Sequence, residues 1–379
     1  MSNRRIFYAC QAVGIAPDYS TDFQEVRGLQ SVGINTTFNL QQVFEIGMIS
    51  IYENIEGVAD VEITLEKVLD GFPLLYHLGT QGATSATLVG RSNQKAVLAL
   101  SITDDTQEAA SGVPSSTCVV SGCFVSQVSY KIGIDANVTE SVTMVANNKV
   151  WNTGGTGKWT PNFKPEDYGT QTSAPPTSWD ADPYSEVTDT NYNAQRSASG
   201  IARRQHLNMA KSLFPTMIPG ITPTHAGSPS GYNEINDTLK CYNVSFQSAS
   251  ASATLGREQI LELGRKAPYF RYTKFPVEVT AEFEVLAKGG DNIEVTETGS
   301  ALNSYNGNNL SNQAIKLVLN EGTIINLGSK CKMQSANYQG GGVDGNNATV
   351  TYSFKTYNDF TVTHLVDPTS GLRASTGEF

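Results

Sequence analysis

Apolar and polar residues alternate strictly along Asp60-Val61-Glu62-Ile63-Thr64-Leu65-Glu66, and again along Val277-Glu278-Val279-Thr280-Ala281-Glu282-Phe283-Glu284-Val285. A period of two belongs to a strand, whose successive side chains point to opposite faces. Each segment therefore reads as a strand with one face over a core and the other toward water. The wet faces carry rows of acids: Asp60, Glu62 and Glu66 in the first, Glu278, Glu282 and Glu284 in the second. Further alternating or apolar runs at 31–40, 95–102, 123–134, 140–145, 240–248, 315–319 and 348–354 predict more strands. Asp135-Ala136-Asn137 and Val343-Asp344-Gly345-Asn346-Asn347 predict hairpin turns between the last two strands of each half. Helical spacing is scarce. It predicts one short helix over Asp104–Ala110 and a longer one over Ala198–Leu213, ended by Phe214-Pro215.

The strand blocks recur. Sliding the halves past each other by about 217 positions aligns Gln42-Val43-Phe44-Glu45-Ile46-Gly47 with Gln259-Ile260-Leu261-Glu262-Leu263-Gly264. Nearby offsets align Val61–Glu66 with Val277–Glu282, and Ala96-Val97 with Ala314-Ile315. A somewhat smaller one aligns Cys123, Tyr130, Val142 and Thr143 with Cys331, Tyr338, Val350 and Thr351. Four collinear blocks predict a duplicated domain with loop insertions. The expected organisation is an N-terminal arm (1–22), a first domain (23–152), a Gly-, Pro- and Thr-rich linker (153–237), a second domain (238–366) and a C-terminal tail (367–379).

Composition narrows the chemistry. With 39% hydrophobic and only 16% charged residues, and 34 Gly, the 379-residue chain reads as β-structure and turns. No apolar window is long enough to span a membrane as a helix, and the start is too short for a clear signal peptide. The five cysteines are odd in number and scattered, which favours reduced, mostly buried thiols. Net charge is −10, unsuited to gripping nucleic acid, and the excess of acid lies in the first domain. His77, His206, His225 and His364 lack metal-ligand spacing, and no nucleophile elbow or phosphate loop is present. Acids spaced i, i+2 on one strand face form a solvated stripe rather than a catalytic pair across a cleft. No enzyme activity, cofactor or metal is expected.

The segments between the long strands are too apolar for idle loops. Met48, Ile49, Ile51 and Tyr52 in the first half, and Arg265, Tyr269, Phe270, Arg271 and Tyr272 in the second, are therefore candidate contacts between subunits or rings. The first of these segments is acidic (Glu45, Glu53, Glu56) and the second basic (Arg265, Lys266, Arg271, Lys274), a complementarity suited to setting register.

The run Val61-Glu62-Ile63-Thr64-Leu65-Glu66-Lys67-Val68-Leu69-Asp70-Gly71-Phe72-Pro73-Leu74-Leu75-Tyr76 resembles the strand and following turn of bacteriophage tail tube proteins. Val128-Ser129-Tyr130 with Asn137-Val138-Thr139-Glu140-Ser141-Val142-Thr143 resembles their closing hairpin. The resemblance covers both repeats and not the linker. It implies two β-sandwich or barrel domains, each with a flanking helix, in a virion protein made in the host cytoplasm. Such a protein assembles with itself into stacked rings, trimers of pseudo-sixfold symmetry here, around a lumen through which double-stranded DNA passes without specific binding. Sheath, terminator, baseplate and tape measure proteins are the implied partners, and Asp60, Glu62, Glu66, Glu278, Glu282 and Glu284 the lumen-facing candidates. The alternatives are another tail component (terminator, baseplate or sheath), or a secreted carbohydrate- or surface-binding β-protein that uses Trp151, Trp159 and Trp179.

Overall fold

The computed structural model describes residues 5–161 apart from 19, 21, 84, 111, 155 and 156, then 201–207, 213–215, 217–218, and 244–364 apart from 292, 296–300, 304–307, 310–311, 320 and 343–346. Trp179, Cys241, the C-terminal tail and most of the expected 343–347 turn lie outside the described residues.

The first half contains β1 (Gln11–Pro17), β2 (Gln24–Glu25), β3 (Leu29–Phe44), β4 (Ile51–Val68), β5 (Ala96–Ile102), β6 (Ser116–Gly133), β7 (Thr139–Ala146) and β8 (Asn148–Asn152). The second contains β9 (Phe246–Thr254), β10 (Arg257–Ile260), β11 (Phe270–Thr273), β12 (Glu278–Leu286), β13 (Ile293–Val295), β14 (Ala301–Asn303), β15 (Asn308–Asn309), β16 (Lys316–Val318), β17 (Ile324–Asn326), β18 (Lys332–Gln339), β19 (Thr349–Tyr357) and β20 (Thr361–Thr363). The chain is mainly β, and its sheets are open rather than closed into a barrel.

Eight antiparallel strands run side by side in the order β3-β4-β7-β6-β9-β12-β19-β18. The first four come from one half and the last four from the other, and both quartets follow the same order of first, second, last and third strand. The 18-residue β6 spans two sheets: its first part pairs with β5 and β8, its last part with β7 and β9. The ladder slips at Ser126 between these parts, a bulge that bends the strand from one layer to the other. In the second half β17 and β18 divide the same work, and β18 slips likewise at Gln334.

Cross-strand pairing refines the repeat. Ile63 lies between Ile34 and Met144, and Ala281 lies between Ala251 and Phe354. Ile63 therefore corresponds to Ala281, two residues beyond the match given by sequence, and Val142 corresponds to Tyr352 rather than Val350. A slip of two keeps every side chain on its face, so alternation alone does not detect it.

Alternation does fix burial. Val61, Ile63, Leu65, Val277, Val279, Ala281 and Phe283 are buried in one core shared by both halves. Phe214 reaches in from the segment between the halves to pack against Phe246 and Phe283, with ring centroids 5.0 and 5.7 Å away.

Both expected helices are corrected over the described residues, 198–200 and 208–212 of the longer one lying outside them. Asp104–Ala110 is a turn, in which the Gln107 N–H donates to the Asp104 carbonyl at 3.0 Å. Residues 201–207 are extended with one 3-10 turn at Arg204–His206: the Ala202 N–H donates to Leu69 and its carbonyl accepts from Val138. A backbone already bridging two segments has no groups left for a helical ladder, so tertiary pairing overrides local propensity. Among the described residues the α-helices are α1 (Leu75–Gly79) and α2 (Leu88–Arg91), too short to show a period. The start of α1 is held by buried Glu140, which accepts from the Leu75 N–H (2.7 Å), the Tyr76 N–H (3.1 Å) and the Tyr130 hydroxyl (2.8 Å). Burial raises the Glu140 pKa even against these three donors.

Candidate assembly interface

The acidic rows stand on one face of the eight-strand run, opposite the core. Glu62, Glu278 and Glu282 are exposed, and Asp60, Glu66 and Glu284 are half-buried. Serine and threonine fill the intervening strands of that face: Ser141 beside Glu66, Ser250 and Ser353 flanking Glu282. Two of the acids are ion-paired, Glu278 with Lys355 at 2.6 Å and Asp60 with Arg271 at 2.5 Å. Burial pushes the Asp60 carboxyl up, but hydrogen bonds from Arg271, Asn39 and Gln259 outweigh it and leave the pKa below its ordinary value.

The two apolar segments form equivalent hairpins with different surroundings. In the second half, β10 and β11 make a two-stranded arm that lies against the first half. Arg271, 5% exposed, donates to Asp60 and to the Asn147 side-chain oxygen, and Gln259 also reaches Asp60. Arg257 donates through Nη1 to the Ser92 carbonyl (2.6 Å) and through Nε and Nη2 to the Val125 carbonyl. Burial lowers its pKa to about 10. Phe270 packs edge-on against Phe124, centroids 5.0 Å apart, with the Lys95 ammonium 5.5 Å from its own ring. Phe270 and Arg271, expected to contact another subunit, thus join the two halves of one chain. Tyr269, Tyr272 and Arg265 are exposed.

The counterpart in the first half is the outer part of the β3–β4 hairpin, roughly residues 38–59. Met48, Ile49, Ile51 and Tyr52 are all exposed there, and so are Phe38, Leu40, Phe44 and Ile46. Among the described residues the contacts made to this arm are slight, as in the ion pair of Lys266 with Glu56 at 3.9 Å, both largely in solvent. Such a row of large apolar side chains is the mark of a surface that another molecule covers.

The ends of the eight-strand run are further surfaces of this kind. Among the described strands β3 pairs only with β4 and β18 only with β19, leaving one edge of each with unpaired N–H and C=O groups. Sequence reasoning missed these edges, because strand order follows from pairing between distant segments. The join of β6 to β9 was equally hidden. Elsewhere, Trp159 packs on Phe23 while Trp151 stands half-exposed on β8. Buried Glu321 accepts from the Thr323 N–H at 2.7 Å and lies 4.0 Å from His364, and burial raises its pKa to about 7. Among the described residues no group of His, Cys, Asp and Glu is arranged to hold a metal, and no helix is long and apolar enough to cross a membrane.

Fold and surfaces together define a mainly-β chain of two like quartets with open sheet edges. No protein family matches its sequence, and no curated protein does either. Similar solved structures come from contractile injection systems. A chain in the baseplate of the anti-feeding prophage aligns over 41% of this chain and 100% of its own, at 12% identity and TM-score 0.31. One in the cap of the same particle aligns over 41% and 95%, at 15% identity and TM-score 0.30. One in the extended sheath–tube complex of an extracellular contractile injection system aligns over 40% and 95%, at 16% identity and TM-score 0.29.

Proposed function

We propose that this chain is a structural subunit of a phage tail tube, which polymerises head to tail through its two open sheet edges. One observation carries the reading: the join between the halves is a template for a join between chains. Inside the chain, the third strand of the first quartet (β6) pairs with the first strand of the second (β9), through Gln127↔Thr254, Ser129↔Ser252 and Lys131↔Ser250. The third strand of the second quartet is β18 and the first strand of the first quartet is β3, and these are the two strands left open. Repeating the internal join between chains sets Ser335 opposite Thr37, Asn337 opposite Asn35 and Gln339 opposite Gly33. Such a contact is heterologous, and it closes into a ring when the rotation allows. Closure also removes the exposed edges.

The tail tube resemblance sets the ring at three chains, six quartets in pseudo-sixfold array, with rings stacked into a conduit for DNA. The acidic face carrying Glu62, Glu66, Glu278 and Glu282 lines the lumen. Lysine or arginine there would hold phosphates by counterion release, whereas carboxylates and hydroxyls let DNA slide. The experiment is disulfide trapping with Thr37→Cys and Ser335→Cys in one chain. A ladder of dimers and trimers under oxidising conditions supports edge pairing, and an uncross-linked monomer at high concentration refutes it.

A further inference from the structure

We infer that Lys67 and Asp70 condense with each other into an isopeptide bond, a staple at the corner where β4 turns toward α1.

The Lys67 side chain is wholly buried and that of Asp70 nearly so, 0% and 13% exposed, and the Lys67 Nζ lies 2.7 Å from the Asp70 Oδ1. A fully buried lysine is rare. The fold itself does not call for one here. Lys67 faces Glu140 across the β4–β7 ladder, and the equivalent pair of the second half is Val285 facing Val350, both buried. Two valines thus fill the same place, and apolar replacements of buried charges are commonly neutral or stabilising. Stability alone does not account for a lysine and its acid at this corner.

The surroundings hold the two groups as reactants. Lys67 Nζ also donates to the Arg27 carbonyl at 2.8 Å, and the Phe72 N–H donates to Asp70 Oδ1 at 3.2 Å. Gly28, at φ +72°, makes room for the carboxyl, since a Cβ there would come within 2.5 Å of Oδ2. Glu140 does not compete for the amine, because its oxygens already accept from Leu75, Tyr76 and Tyr130. Groups fixed in contact react as though at concentrations far above any in solution.

One proton passes from the ammonium to the carboxylate, a transfer that burial favours because a pair out of water costs less neutral than charged. The amine nitrogen then attacks the Asp70 Cγ. The new N–C bond forms as one C–O bond breaks, and the departing oxygen leaves as water with both protons lost by the nitrogen. The step needs no other reactant. The product amide keeps one N–H for the Arg27 carbonyl and one oxygen for the Phe72 N–H. Its ring encloses Val68 and Leu69, on which other segments hang: the Val68 N–H donates to Gly28, the Leu69 N–H to Val138, and the Leu69 carbonyl accepts from Ala202.

The test is mass spectrometry of the full chain, held folded at neutral pH and then denatured. The expected mass is one water below that of the sequence. Trypsin should fail to cut after Lys67, and fragmentation should place the lost water in a peptide that links Lys67 to Asp70. Lys67→Met and Asp70→Ala should each restore the full mass. A parent chain at its full sequence mass, cut by trypsin after Lys67, would overturn the inference and leave an ion pair. A lost water that persists in Lys67→Met would overturn it too, since Asp70 would then have closed on the backbone of Gly71. Should either variant fail to fold, the parent digest decides by itself.

Discussion

The arm of the second half is anchored by buried Arg271 and half-buried Arg257, while its counterpart in the first half offers solvent a row of Phe, Ile, Met and Tyr. Backbone chemistry helps to separate them. In β4 the strand runs on through Gly57-Val58-Ala59 past the slip in its ladder, but the equivalent point of the second half is Phe275-Pro276, and proline has no N–H to give to a ladder. The break between β11 and β12 lets that arm fold over onto the first half. A duplicated element has thus been fitted once for its own chain and once, in the proposed assembly, for a neighbour. The difference teaches that exposure in an isolated subunit reports where the partner of an element lies, not whether it has one.

The largest expected effect falls on the free arm. Deleting Met48–Asn54 should abolish assembly while leaving the isolated subunit folded, with a melting temperature within a few degrees of the parent by circular dichroism. A strong loss of subunit stability would show that the arm belongs to the core of its own chain.

A second contrast concerns the carboxylate that each half buries. Glu140 is met by three donors and caps α1, whereas Glu321 is held by one N–H beside His364, with its pKa raised to about 7. An acid whose folded pKa lies above its unfolded value of 4.5 binds more protons when folded, so stability falls as pH rises from about 4.5 to about 7. The loss amounts to roughly 3 kcal/mol, at about 1.4 kcal/mol per pKa unit. Glu321→Gln should flatten that part of the curve in urea unfolding followed against pH. An unchanged slope would contradict the raised pKa of Glu321.

Arg271→Ala should destabilise the subunit by about 1.5–3 kcal/mol, the range for a hydrogen bond to a charged group. Asn54→Ala, at the matching place on the free arm, should change subunit stability by no more than about 0.5 kcal/mol. Equal effects in chemical denaturation would erase the distinction between the arms. The smallest change is expected at the acidic face. Replacing Glu62, Glu66 and Glu282 by Lys should cost about 0.5 kcal/mol or less each, yet make assembled tubes retain DNA at low salt and release it as salt rises.

How much of this was legible beforehand differs between strand and sheet. The alternation of 60–66 and 277–285 located two strands and their buried faces, and the Gln42–Gly47 and Gln259–Gly264 blocks marked the two equivalent arms. Helix placement failed because α1 and α2 are single turns fixed by tertiary groups such as Glu140. Pairing of β6 with β9 was invisible, since Gln127–Gly133 and Ser248–Thr254 have ordinary strand composition and meet across more than a hundred residues. The functional arms showed themselves as apolar segments, but nothing local distinguished the satisfied arm from the exposed one. Only the positions of Asp60 and Asn147 around Arg271 did that.

In the proposed assembly, chains join as the two halves of one chain join. Native mass spectrometry of the assembled protein tests it most directly. The expected result is a closed particle of three chains at 40.8 kDa each, with stacks in multiples of three. A protein that stays monomeric at high concentration, or closes with a number of chains other than three, would contradict it.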